Sequence, residues 1–211
     1  MNRKSSKPIG GFFELELPNK KMEYHKDAFA LSTGRACMHT ILKIEKPNLV
    51  YIPFYTCYAL YEPILQLGID IKFYPINELM EPHHNPLLND KEMFVYINYF
   101  GLKNKLCNEL SEKYEKNIII DNTHNFFNFS YEKSYSFTSA RKYFGVPDGA
   151  YLYGGSLDGI SRNKNISISH NVKRLEGLFE CAYTEYLHEE KKFNTNILRI
   201  SKISERLLQN V

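Results

Sequence analysis

The chain has no tryptophan, no long apolar run, no closely spaced cysteine pair and no large excess of one charge. Each absence removes a class of protein. No apolar stretch approaches the roughly 18–20 residues that a membrane helix needs. A formal net charge of +3 gives no bulk reason to expect a nucleic-acid or membrane surface as partner. The four cysteines, Cys37, Cys57, Cys107 and Cys181, lie far apart and form no CxxC motif. Reduced thiols are expected, and neither a disulfide framework nor a metal site. The N-terminus, Met1 to Ser6, is basic, but Pro8-Ile9-Gly10-Gly11 stands where a secretory signal would have its apolar core. A cytoplasmic location is the expectation. What is abundant is Tyr and Phe, 16 and 14 residues, which points to an aromatic core.

At 211 residues the chain can be one domain or at most two small ones, and is long enough to bury a sizeable core. Short β-rich runs recur between turn residues: Leu49 to Ile52 before Pro53, Ile69 to Tyr74 before Pro75, Met93 to Asn98, Asn117 to Ile120 running into Asp121, Tyr135 to Thr138, and Ala150 to Tyr153. Helical stretches lie between them. Arg35 to Lys43 follows a Ser32-Thr33-Gly34 start signal, Cys57 to Leu67 ends at Gly68, and Leu106 to Tyr114 has apolar residues at helical spacing. This alternation predicts an α/β fold with a mostly parallel sheet flanked by helices. A cofactor-binding domain is expected over 1–170. Beyond it Val172 to His188 and Ile197 to Leu208 read as amphipathic helices of a C-terminal segment, 171–211.

Binding sites of open α/β sheets collect at the carboxyl ends of the strands. Three segments carry suitable chemistry there. Ser32-Thr33-Gly34-Arg35-Ala36 opens a helix, and small residues let a phosphate approach its N–H groups. The same residues also make an ordinary helix cap. Ile118-Ile119-Ile120-Asp121 is a buried strand ending in an acid, and such an acid needs a cationic partner, for example a protonated pyridine nitrogen. His124 follows within reach of the same ligand. Asp121 as a cap and His124 as a structural histidine are the plainer alternatives. In Ser139-Ala140-Arg141-Lys142, the lysine lies between two strands, where its neutral amine could form an imine with an aldehyde. Ser139 and Arg141 could bind a phosphate nearby. The alternative is a solvated surface lysine.

Phosphate loop, strand-end acid and lysine follow one another in the order used by fold type I enzymes of pyridoxal 5'-phosphate (PLP). The sequence resembles the DegT/DnrJ/EryC1/StrS sugar aminotransferases, and within them the branch found with bacterial surface-polysaccharide genes. The matching stretches are Gly10 to Leu15, Ser32 to Arg35, Tyr51-Ile52-Pro53-Phe54-Tyr55-Thr56-Cys57, Asn98-Tyr99-Phe100-Gly101, Asp121 to His124, Ser139 to Lys142 and Pro147 to Ala150. Together they span roughly Gly10 to Gly154. The resemblance implies that Lys142 carries the cofactor and later moves the substrate proton. Asp121 would pair with the ring nitrogen, and His124 would stand near the ring oxygen. The backbone at Gly34 and Arg35, with Ser139, would hold the phosphate.

Two departures accompany the resemblance. Cys57 occupies the position where the family supplies an aromatic ring to stack on the cofactor, which leaves Tyr55 or Tyr58 as replacements, or no stacking. Family members also continue into a smaller C-terminal domain, whereas this chain ends at Val211, so a fragment or a natural truncation is expected. The implied function is transfer of an amino group from an amino acid to a nucleotide-linked keto sugar, by a homodimer. Sugar dehydration is the variant that Lys142 argues against, because that class replaces the lysine by histidine. A non-catalytic domain binding a nucleotide sugar or a partner is the alternative.

Overall fold

A computed structural model describes residues 24–155 apart from 129 and 147. The stretch Gly10 to Leu15, Pro147 and the two helices expected after Asn171 lie outside the described residues.

The strands are β1 (Phe29–Leu31), β2 (Leu49–Pro53), β3 (Asp70–Tyr74), β4 (Glu92–Ile97), β5 (Ile118–Asp121), β6 (Tyr135–Ser139) and β7 (Ala150–Tyr153). Three helices, α1 (Gly34–Glu45), α2 (Tyr58–Gln66) and α3 (Asn104–Tyr114), lie between them. The strands form one seven-stranded sheet in the order β1-β7-β6-β5-β4-β2-β3. Neighbours from β3 through β2, β4 and β5 to β6 are parallel, and β7 runs antiparallel to both β6 and β1. The expected α/β architecture, a mostly parallel sheet flanked by helices, is thus the observed one.

Burial explains the order. Central β4 and β5 are apolar at nearly every position, Met-Phe-Val-Tyr-Ile and Ile-Ile-Ile, and are buried on both faces, as interior parallel strands must be. Edge strand β3 reads Asp-Ile-Lys-Phe-Tyr and is mostly exposed, with Lys72 on the open edge where a charge discourages further pairing. Helix α1 buries Cys37, Met38, Ile41 and Leu42, one stripe at helical spacing, against β6, β7 and α2. Helix α3 does the same with Cys107, Leu110 and Tyr114 against β5.

Strand β1 was not expected from the sequence. Three residues are too few for a periodic signal, and the strand exists because β7 offers it an antiparallel partner, Phe29 against Leu152 through Leu31 against Ala150.

Candidate active site

The carboxyl ends of β2, β4, β5 and β6 meet the amino end of α1 around a cavity of about 480 Å³. Backbone hydrogen bonds bring its walls together. Asn98 N–H donates to the Asp121 carbonyl (3.0 Å), Asn122 N–H to the Phe137 carbonyl (2.8 Å), and Gly149 N–H to the Ser32 carbonyl (2.8 Å). The last bond ties the loop after β6 to the loop before α1. Its consequence is that segments more than a hundred residues apart share one surface. Gly34, Arg35, Tyr55, Cys57, Asp121, His124, Ser139 and Lys142 all line the cavity.

Helix α1 begins under a cap. Thr33 is extended, and its hydroxyl accepts from the Ala36 N–H at 3.1 Å. That leaves the first turn's remaining N–H groups at the cavity wall, where the helix dipole favours an anion. Gly34 allows tight packing here: a Cβ at this position would lie 3.2 Å from the Phe137 ring. The Arg35 guanidinium is held by Glu62 of α2, Nε to Oε2 2.8 Å, so the residue's backbone remains at the cavity while its charge is partnered.

Asp121 ends β5 and is 7% exposed. One carboxylate oxygen accepts from the Thr123 N–H at 2.8 Å. Burial raises the acid above the usual carboxylate range. Hydrogen bonds from Thr123 and the electrostatic influence of His124 and Lys142 oppose that rise without cancelling it. A cationic partner for this carboxylate is what the surroundings undersupply. Beneath it the Cys37 thiol is fully buried and pushed up by burial and by Asp121, so it stays an inert thiol.

Lys142 closes a single 3-10 turn, Ala140–Lys142, directly after β6, and is solvent-exposed at the cavity. The turn is anchored at its start: Ala140 N–H donates to the Gly149 carbonyl (3.0 Å), and the Ser139 hydroxyl reaches the same carbonyl at 3.4 Å. Arg141, half-buried, lines the same wall.

The aromatic lining separates the two candidate replacements for the ring missing at Cys57. Tyr58 packs edge-on against Tyr61, away from the cavity lining. Tyr55 lines the cavity and is stacked on Tyr99, ring centres 5.8 Å apart. Cys57 itself is exposed at the start of α2.

Sequence reasoning left out Thr56, Tyr99, Phe100, Thr123 and Phe137, which also line the cavity. The Thr56 hydroxyl oxygen is buried with no hydrogen-bond partner among the described residues. Tyr99 is 2% exposed, its phenol pushed up by burial, and its hydroxyl donates to the Tyr55 carbonyl at 2.8 Å. Of these, Thr56, Tyr99, Phe100 and Thr123 stood in quoted stretches but were given no role. Phe137 had only its place in an expected strand.

The donor set fits PLP. A buried acid short of positive charge suits a ring N–H⁺, helix-end N–H groups with a serine suit a phosphate, and an exposed lysine amine suits an aldehyde. Among the described residues no cluster of His, Cys, Asp and Glu could hold a metal ion, and no helix is long and apolar enough to cross a membrane.

The chain matches no protein-family model and no curated protein. It is similar to solved structures of aminotransferases. One is a DegT/DnrJ/EryC1/StrS aminotransferase from Brucella abortus, at 16% identity and TM-score 0.45, the match covering 62% of this chain and 44% of that one. Another is DesV of S. venezuelae in complex with a ketimine intermediate, at 16% and 0.49, covering 66% and 45%. A third is NtdA from Bacillus subtilis with bound PMP, at 14% and 0.46, covering 59% and 32%. The matches span less than half of each of these chains. The seven-stranded, mostly parallel sheet with flanking helices is the α/β architecture in which these site residues sit.

Proposed function

We propose that this chain is the cofactor-binding part of a PLP-dependent aminotransferase acting on a nucleotide-linked keto sugar in surface-polysaccharide synthesis. The observation that carries the reading is the meeting of Asp121, Lys142 and the amino end of α1 around one cavity.

PLP supplies an aldehyde that captures amines and a protonated ring that takes up the electron pair left when a substrate C–H bond breaks. The residues of this chain do the rest. Lys142 Nζ would hold the cofactor and would move the proton at the substrate carbon. The Asp121 carboxylate would keep the ring nitrogen protonated, and burial holds its pKa above the ordinary carboxylate value. His124 would stand by the ring oxygen. The N–H groups of Gly34 and Arg35, with the Ser139 hydroxyl, would hold the phosphate. Tyr55, backed by Tyr99, is the ring wall that compensates for Cys57.

Assembly as a cytoplasmic homodimer belongs to the same proposal. Tyr24, Phe127, Tyr143 and Phe144 form one cluster of ring contacts, and each is at least 41% exposed. Light scattering over a dilution series is expected to give the mass of two chains; a folded monomer throughout would remove this part.

The decisive experiment is borohydride reduction of the protein mixed with PLP, followed by peptide mapping. Label confined to Lys142 supports the reading. Label spread evenly over surface lysines, in a folded protein, supports instead a domain that binds without turnover.

A further inference from the structure

The turn after β4 is built in a way that packing alone does not require. Asn98 is fully buried, and all its polar atoms are engaged. Its N–H donates to Asp121 and its carbonyl accepts from the Gly101 N–H at 3.0 Å. Its side-chain oxygen accepts from the Lys103 N–H at 2.9 Å. Its amide donates to the side-chain oxygens of Asn104 (2.8 Å) and Asn122 (3.0 Å). From this anchor the chain turns through two left-handed residues, Phe100 at φ 55° and Gly101 at φ 72°. For phenylalanine that conformation is costly, so the surroundings must enforce it. A Cβ on Gly101 would lie 2.8 Å from the His124 carbonyl oxygen. Only glycine therefore lets the two loops come this close.

The result of the close approach is a hydrogen bond onto an imidazole. The Phe100 N–H donates to His124 Nδ1 at 3.3 Å, and the two rings lie nearly parallel, 15° apart with centres 5.8 Å apart. A ring nitrogen that accepts from an N–H carries no proton of its own, so the proton of the neutral ring sits on Nε2.

We infer that the Asn98–Gly101 turn is a positioning device for His124, holding the ring as its Nε2–H tautomer and offering that N–H to the ligand in the cavity. His124 then acts as a fixed neutral donor. It is not a proton shuttle, because a proton on Nδ1 would confront the Phe100 N–H. Proton transfer is left to Lys142. The tautomer stands independently of the cofactor; the identity of the accepting atom, the ring oxygen of PLP, rests on the reading above.

The test uses the full chain, labelled with nitrogen-15, first without cofactor. At mildly alkaline pH the His124 ring is expected to show an unprotonated Nδ1 and a protonated Nε2. The Phe100 amide, on an exposed residue, is expected to exchange with solvent at least 10-fold more slowly than in His124→Ala. Gly101→Ala, and the near-isosteric Asn98→Asp should Gly101→Ala not fold, are expected to abolish that protection and to weaken PLP binding several-fold. A protonated Nδ1 in the wild type overturns the inference. So does a Phe100 amide indifferent to His124→Ala, or a folded variant that keeps both signatures. Failure of PLP to label Lys142 would sink the cofactor reading while leaving these ring signals unchanged, so the two failures are distinguishable.

Discussion

Two hollows of similar size lie at opposite ends of the same sheet. The one at the carboxyl ends, about 480 Å³, is the candidate active site. The other, about 580 Å³, lies at the amino ends of β2 and β3 between Leu42, Lys46, Asn48, Leu67 and Asp70. The larger one is where chain turns close. Lys46 N–H returns to the Leu42 carbonyl, and Asp70 N–H to Asn48. The smaller one holds a buried acid without a sufficient counter-charge, a helix amino end and an exposed lysine. Volume alone therefore does not mark a site. Uncompensated charge and backbone donors facing open space do, because these are the groups whose free energy a ligand can lower.

The comparison breaks most easily at the two lysines. Lys142→Ala is expected to abolish the reducible PLP adduct and to lower any transferase activity by at least about 10²–10⁴-fold, the range for a lost general acid or base. Lys46→Ala, at the other hollow, is expected to leave both unchanged. Peptide mapping and a transamination assay read the pair, and equal labelling in the two variants would erase the distinction between the hollows.

Asp121→Asn is expected to act in two opposite directions. Without cofactor the folded-state pKa of Asp121 lies above the unfolded value. Its contribution therefore favours folding at low pH and is lost as pH rises through the folded value. The neutral amide removes that loss, so the variant should be more stable than wild type near neutral pH, with the gain shrinking on acidification. With PLP the order reverses. A charge-assisted hydrogen bond of roughly 1.5–3 kcal/mol is gone, which corresponds to about 10- to 150-fold weaker binding. Urea melts across pH and a PLP titration measure the two effects; identical behaviour to wild type in both would make Asp121 a mere cap.

Thr33→Ala sharpens the contrast at the backbone level. Loss of the cap to the Ala36 N–H should cost about 1 kcal/mol of stability and loosen the phosphate end of α1. A shift in the urea midpoint with weaker PLP binding is the expected pair of results.

The smallest effect is expected at the other hollow. Lys46 ends α1 in the left-handed conformation, φ 48°. Glycine there relieves about 1–2 kcal/mol of backbone cost and adds roughly 0.5–1 kcal/mol of unfolded-state entropy. Lys46→Gly should therefore stabilise by about 0.5 kcal/mol, visible in the melt and silent in PLP labelling.

Much of this layout was legible beforehand. Three consecutive β-branched residues, Ile118-Ile119-Ile120, predicted a buried strand, with its acid at the end. The Ser32-Thr33-Gly34 start signal before Arg35 announced α1 within a residue of its start. The Cys57 departure was equally visible. That Tyr55 and not Tyr58 lines the cavity was not, because the two sit on opposite sides of the residue where α2 begins and nothing local says which way each ring turns.

Periodicity and turn chemistry, both local, settled which segments are strands or helices and that the chemistry lies where strands end. Pairing settled the rest. β1 exists only because β7 accepts it, and Ser32 meets Gly149 only because β6 and β7 close that end of the sheet. The bond from Phe100 to His124 needs Gly101 to pass within van der Waals reach of a loop over twenty residues away. Such contacts depend on which hydrogen-bonding groups the folded sheet leaves opposite one another, and that is a property of the whole packed chain rather than of any window within it.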